Sequence, residues 1–256
     1  MYIVTGSNTG IGKELARMLY TRNANVYIAA RSQERADKAM EDIRAAAPSS
    51  RGALSFLKLD LGDLRTIKAT ANEFLSKEKR LHVLFNNAGV QALDGGSTAQ
   101  GYESNMGVNC VGVFAFTKLL TPALVETATT EPQGTVRVVW VSSLGTEMVG
   151  LKSTAVDMEN LDYKKKDESG LAKYGLSKAG NWLQGVEFAK RLRASGVVSV
   201  PLNPGNIASD LYRDQSWIMK LSLKAMTYPN AYGACTEFYA GLSPDITLEK
   251  TGQWGE

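Results

Sequence analysis

The chain has 256 residues and a formal charge of +3, from 29 Lys and Arg against 26 Asp and Glu. So balanced a charge argues against a nucleic-acid binder, and 44% hydrophobic with 21% charged residues excludes wholesale disorder. One histidine, His82, and two cysteines, Cys110 and Cys235, exclude the common zinc sites and a disulfide framework, and leave a Ser-His-Asp triad dependent on His82 alone.

Continuous apolar runs at residues 2–5, 25–30, 54–59, 83–86, 137–142 and 197–202 read as strands. None alternates, which is how strands buried on both faces read, so the sheet should be parallel. Between them, Ile11, Leu15, Met18 and Leu19 recur at helical spacing, and helices are expected at 33–47, 64–79, 101–127 and 173–195. Pro48 ends the second and Gly196 the last. Strand and helix alternate, which predicts right-handed crossovers and a Rossmann-type, doubly wound, three-layer α/β/α fold. A single domain should span 1–256, with substrate loops at 145–170, where Lys164-Lys165-Lys166 lies, and 209–228. A strand beginning at Tyr2 leaves no room for a signal peptide, and both ends are expected to be trimmed relative to the natural product. Apolar runs fall short of the roughly 18 residues of a membrane span. A cytoplasmic, reducing setting is the default expectation.

Thr5-Gly6-Ser7-Asn8-Thr9-Gly10-Ile11-Gly12 follows the first strand and opens the first helix. Gly6 permits a sharp turn, Gly10 lets backbone approach a pyrophosphate, and Gly12 lets helix pack close to strand. Free N–H groups and the helix dipole then face the anion. Three further blocks follow: Asn86-Asn87-Ala88-Gly89, Tyr174-Gly175-Leu176-Ser177-Lys178, and Asn203-Pro204-Gly205-Asn206-Ile207. In order and spacing the four blocks resemble the short-chain dehydrogenase/reductase family, its retinol-dehydrogenase-like branch and related fungal or plant reductases.

The resemblance implies a nicotinamide cofactor. Asn8, Thr9 and Ile11 would cradle its phosphates with the glycines and Ser7, and Asp60-Leu61 would hold adenine. Asn87, Ala88 and Gly89 would lie along the ribose. Pro204, Gly205 and Ile207 would cover the nicotinamide, with Ser209 where the family usually has a carboxamide-binding Thr. An NAD-binding member would carry an acid at the end of the second strand, for the ribose 2′-hydroxyl. Here Ala30 takes that place and Arg31 follows. A guanidinium binds a 2′-phosphate through paired charge-assisted hydrogen bonds, so NADP(H) is expected.

Tyr174 and Lys178 are four apart on a helix and share a face. A phenol normally titrates near 10, and a neighbouring ammonium lowers that value. Tyr174 can then exchange a proton with a carbonyl or alcohol oxygen. By resemblance Lys178 also holds the nicotinamide ribose, Ser143 bonds the substrate oxygen, and Asn109 holds a water linked to the lysine. Ser142 remains the alternative to Ser143, because a one-residue slip exchanges them. His82, Cys110, Cys235 and Trp182 read as structural, the cysteines as buried helix residues. Tyr212, Trp217, Met219 and Met226 fall where the family keeps a mobile lid. An apolar lid suits a small hydrophobic carbonyl or alcohol substrate; a packed helix or subunit contact is the alternative, and a homo-oligomer stays open. The gap between Ser143 and Tyr174 exceeds that of many family members, which leaves the substrate class open. Reduction of C=C or C=N bonds on the same scaffold, or a non-catalytic NADP(H)-binding regulator, are the rival functions.

Overall fold

A computed structural model describes residues 1–146, 156–207 and 227–255. Six parallel strands form the sheet: β1 (Tyr2–Thr5), β2 (Asn25–Ala30), β3 (Ala53–Lys58), β4 (Val83–Asn86), β5 (Arg137–Val141) and β6 (Val198–Leu202). Their order is β3-β2-β1-β4-β5-β6. Tyr2 pairs with Val26 on one side and Val83 on the other. The chain thus winds outward through β2 and β3, then returns past β1 to β4. That reversal opens a crevice at the carboxyl ends of β1 and β4, where such folds bind ligands.

Both sheet faces are covered, as the unbroken apolar strands require. α1 (Gly10–Thr21), α2 (Gln33–Ala46) and α6 (Asn230–Leu242) cover one face. Their Leu15, Leu19, Ile43 and Ala234 pack with Val4, Ile28 and Val139. α3 (Leu64–Lys77), α4 (Ser104–Ala128) and α5 (Gly170–Leu192) cover the other. There Ile67, Phe74, Phe116, Leu120 and Phe188 pack with Leu84, Val138 and Trp140. By length and composition α4 is apolar enough to cross a membrane. In the fold it is a core helix: Phe116, Leu120 and Leu124 are fully buried.

Element boundaries depart from the sequence reading by one to three residues. β5 stops at Val141, and the Ser142 N–H bonds to Leu202 O. α5 begins at Gly170, because Ser169 accepts the Ala172 N–H as its cap. α6 was implied only by reading Cys235 as a helix residue, and its bounds were not foreseen. It buries a face of Gly233, Ala234, Glu237, Ala240 and Gly241, too small and too polar to register as an apolar helical stripe. Cys235 points off that face and is exposed, correcting its expected burial; Cys110 is buried as read. Arg137 ties α6 to the sheet. Its side chain is buried and donates to Gly134 O, Ala240 O and Ser243 O at 2.7–2.8 Å, which satisfies carbonyls at the helix's last turn. His82 stands at the opposite end of the sheet from the crevice, with Nε2 3.3 Å from a Glu131 oxygen. Trp182 stacks edge-on with Trp254. The Lys-rich loop is charge-neutralised: Lys164, Lys165 and Lys166 pair with Asp162, Glu159 and Glu168.

Candidate active site

A cleft of about 720 Å³ runs along the carboxyl ends of the strands. Its floor is the turn between β1 and α1. Gly10 has φ +59°, open to glycine at little cost, and a Cβ there would project into free space. Gly12 is needed for the opposite reason: a Cβ would lie 2.5 Å from Asn87 Nδ2 and 3.0 Å from Ser7 Cα. The turn is stitched to β4. Thr5 Oγ1 donates to Phe85 O and accepts the Ala88 N–H, while Asn87 Nδ2 donates to Thr5 O at 2.7 Å. Gly6, Asn8, Thr9, Gly10, Ile11 and Gly12 all line the cleft. Ser7 does not: its hydroxyl is buried and donates to Val4 O, so it braces the turn from inside. The cradle, with backbone N–H groups at a helix start and no side chain in the way, fits a dinucleotide pyrophosphate.

Arg31 lines the cleft beyond β2, as do Asp60 and Leu61 beyond β3. Asp60 Oδ1 accepts the Gly62 N–H at 2.9 Å. Arg35 lines the cleft beside Arg31, and among the described residues neither guanidinium is ion-paired. The reading of the sequence missed Arg35, which stands in the first turn of α2. It also missed Val90, Gln91 and Ala92, which continue the cleft wall after Gly89.

At the other end, Tyr174, Lys178 and Ser143 come together. A Cβ placed on Gly145 would lie 3.5 Å from Ser143 Oγ and 3.6 Å from Tyr174 Cε1, so the two side chains flank one small volume. A Cβ on Gly89 would lie 3.0 Å from Lys178 Nζ and 3.4 Å from Asn109 Oδ1. Only glycine therefore leaves the floor open at the lysine. Ser142 and Ser143 separate by their bonds. Ser142 Oγ is buried and donates to Lys178 O at 2.7 Å, with Thr146 Oγ1 at 3.0 Å. Ser143 Oγ is only partly buried and accepts the Gly145 N–H.

Lys178 is 4% exposed, and its Nζ donates to Val141 O at 2.9 Å. Burial lowers its pKa to about 8. Asn109 lies in a π-helical turn, Gly107–Gly112, inside α4. Such turns mark functional sites, because the extra residue re-aims a side chain. Asn109 is fully buried; it accepts the Val90 N–H and donates to Val90 O and Ser177 Oγ at 2.8–2.9 Å. It thereby holds the cleft wall rather than lining the cleft. Pro204, Gly205 and Ile207 line the remaining edge. Ser209 and the lid residues Tyr212, Trp217, Met219 and Met226 lie outside the described residues, as do residues 147–155 of the 145–170 loop.

The short chain dehydrogenase family profile matches residues 1–155. A short-chain dehydrogenase/reductase of Phaeosphaeria nodorum is 52% identical over the whole chain, which spans 82% of that protein. Retinol dehydrogenase 11 of Mus musculus is 40% identical, over 95% of this chain and 73% of its own length. Among solved structures, a complex titled Pseudomonas aeruginosa RhlG/NADP superposes with a TM-score of 0.75 at 23% identity, covering 99% of this chain and 92% of the other.

Proposed function

The chain belongs to the short-chain dehydrogenase/reductase family of oxidoreductases, and from that premise we propose that it is an NADP(H)-dependent enzyme interconverting a hydrophobic ketone or aldehyde and the corresponding alcohol. The observation that carries this reading is the volume flanked by Ser143 Oγ and the Tyr174 ring, with Lys178 four residues along the same helix. When bound, NADP(H) supplies or accepts the hydride.

In reduction, the Ser143 hydroxyl donates to the carbonyl oxygen and stabilises charge developing there. The Tyr174 hydroxyl gives that oxygen its proton, and takes one back in oxidation. The Lys178 ammonium favours the tyrosinate by proximity of opposite charge. Ser142 holds the lysine's turn of helix from behind, and Asn109 fixes the Val90 wall. Gly6–Gly12 would hold the pyrophosphate, and Arg31 with Arg35 the 2′-phosphate, since two guanidiniums without an ion-pair partner among the described residues, one just after β2 and one in the first turn of α2, suit a doubly charged anion. Similarity to a retinol dehydrogenase supports an apolar alcohol or carbonyl as substrate.

Tyr174→Phe tests this directly. It removes one oxygen and touches none of the cradle. Turnover of a carbonyl panel with NADPH should fall about 10²–10⁴-fold, while NADPH binding, read by fluorescence titration, stays near wild type. Wild-type turnover in the variant would overturn the catalytic assignment.

A further inference from the structure

Gln91 lines the cleft but has no place in the scheme above. Its Oε1 is shut off from solvent without a hydrogen-bond partner, and among the described residues nothing bonds its Nε2. The backbone on either side of it is held. Asn109 accepts the Val90 N–H and donates to Val90 O. Asn105, fully buried one turn earlier on α4, does the same for Ala92 at 2.9–3.0 Å. Alternate residues that meet one helix mark an extended chain, since two extended residues and one helical turn both advance about 6 Å.

The same run lies along α5. At its start, a Cβ on Gly89 would lie 3.0 Å from Lys178 Nζ. At Val90, Asn109 reaches across to Ser177 Oγ at 2.8 Å. At its end, a Cβ on Gly170 would meet Leu93 O and lie 2.7 Å from Leu93 Cα. The chain therefore passes α5 antiparallel, from Lys178 to Gly170. Four extended residues cover about 13 Å and eight helical residues about 12 Å, so the two keep level. Gln91, midway from Gly89 to Leu93, stands level with Tyr174, midway from Gly170 to Lys178. Both line the cleft.

A primary amide offers two donors and one acceptor, and an amide atom buried without a partner is costly. Here that cost is kept beside the reacting centre, on a backbone braced at both neighbours. We propose that Gln91 is a specificity-determining residue: its amide takes a second oxygen of the substrate, a hydroxyl borne within two carbons of the carbonyl. The proposal rests on the carbonyl–alcohol reading above and narrows its substrate to a hydroxylated ketone or aldehyde. A hydroxyl fits because it donates to Oε1 and accepts from Nε2, so it pairs with whichever amide atom the cleft presents. A substrate without it leaves the amide unpaired, and a site built to bond a hydroxyl discriminates by that loss.

The test compares acetophenone with α-hydroxyacetophenone, and propiophenone with β-hydroxypropiophenone, in turnover with NADPH. Wild type should favour the hydroxylated member of at least one pair by about 10–100-fold in kcat/KM. Gln91→Leu keeps the bulk, removes the amide and should cut that ratio by the same factor. A ratio that survives in Gln91→Leu, as it would if the residue were merely structural, overturns the proposal. Binding gives a second readout, free of carbonyl reactivity, because NADPH cannot reduce an alcohol. In the NADPH complex of wild type, calorimetry should find styrene glycol bound about 10–100-fold more tightly than α-methylbenzyl alcohol, and no more tightly in Gln91→Leu. Equal binding in wild type overturns the proposal even should the variant not fold. If no ketone is turned over while styrene glycol keeps its advantage, the carbonyl reading falls and the hydroxyl subsite stands, so the two failures are distinct.

Discussion

The two ends of the cleft are built differently. Around β1 and α1 the wall is main chain: glycines, helix-start N–H groups, and two side chains, Thr5 and Asn87, spent on stitching backbone to backbone. Around α5 the wall is side chains, anchored mostly on backbone groups of other elements. Ser142 holds Lys178 O, Lys178 holds Val141 O, and Asn109 holds Val90 and Ser177. The first end can grip any molecule with a pyrophosphate, because backbone amides recognise charge and shape. The second can select a reaction, because the serine hydroxyl is placed by the end of β5 and the phenol and ammonium by α5.

If that contrast is right, loss at the chemical end should cost rate and loss at the main-chain end should cost binding. The largest effect is Tyr174→Phe on turnover with NADPH affinity retained, as set out above. Arg137→Met comes next, and acts on stability alone. It leaves the carbonyls of Gly134 and Ala240 without the guanidinium and Ser243 O with the Ile246 N–H alone, at a cost of about 2–5 kcal/mol in chemical denaturation. A cost under about 1 kcal/mol would mean that α6 docks without this tie. Gly12→Ala follows. Its methyl meets Asn87 Nδ2 and the Ser7 backbone, so about 1–3 kcal/mol of strain should fall on the stitch and weaken NADPH binding, while enzyme saturated with cofactor turns over nearly as before. Unchanged affinity would break the contrast at its main-chain end.

Arg31→Leu sharpens it within that end, because here a side chain decides between cofactors. NADPH should bind about ten- to hundredfold more weakly, the worth of a charge-assisted hydrogen bond, with NADH unaffected. If Arg35→Leu does the same and the double variant is less than additive, the two guanidiniums share one phosphate. The smallest effect is a pH drift. Burial raises Glu237 from 4.5 to about 8, so the folded state holds a proton that the unfolded chain releases. Its contribution to stability is full below pH 4.5 and is lost as pH rises to about 8. Glu237→Gln should therefore lessen the decline in thermal stability of wild type across that window, as melting at a series of pH values would show. Identical profiles would mean that Glu237 ionises normally.

Much of this was legible in the sequence. The strands were found because burial on both faces leaves unbroken apolar runs, and the glycine turn because each glycine answers a local demand. Tyr174 and Lys178 were legible because helical spacing sets them on one face without knowledge of what they face. Arg35 was not open to that argument, because Arg31 lies ahead of α2 and the two share no helix. What the sequence could not decide was anything that depends on a partner far along the chain. Ser142 and Ser143 are adjacent and chemically identical; both line the cleft, and only the packing of α5 under β5 buries the Ser142 hydroxyl on Lys178 O and leaves that of Ser143 partly exposed. By resemblance Asn109 was expected to hold a water linked to the lysine; its bracing bonds exist only because Val90 and Ser177 meet it in space. α6 could not be bounded because its buried face is glycine, alanine and one acid, a pattern with no apolar period; it becomes a core helix only where α1, Phe85 and Arg137 close around it. Local chemistry settles what a short segment can be, since backbone sterics and periodicity act over a few residues. Which of several equivalent groups is exposed, braced or buried without a partner is settled by long-range packing, and packing is a property of the assembled sheet and helices.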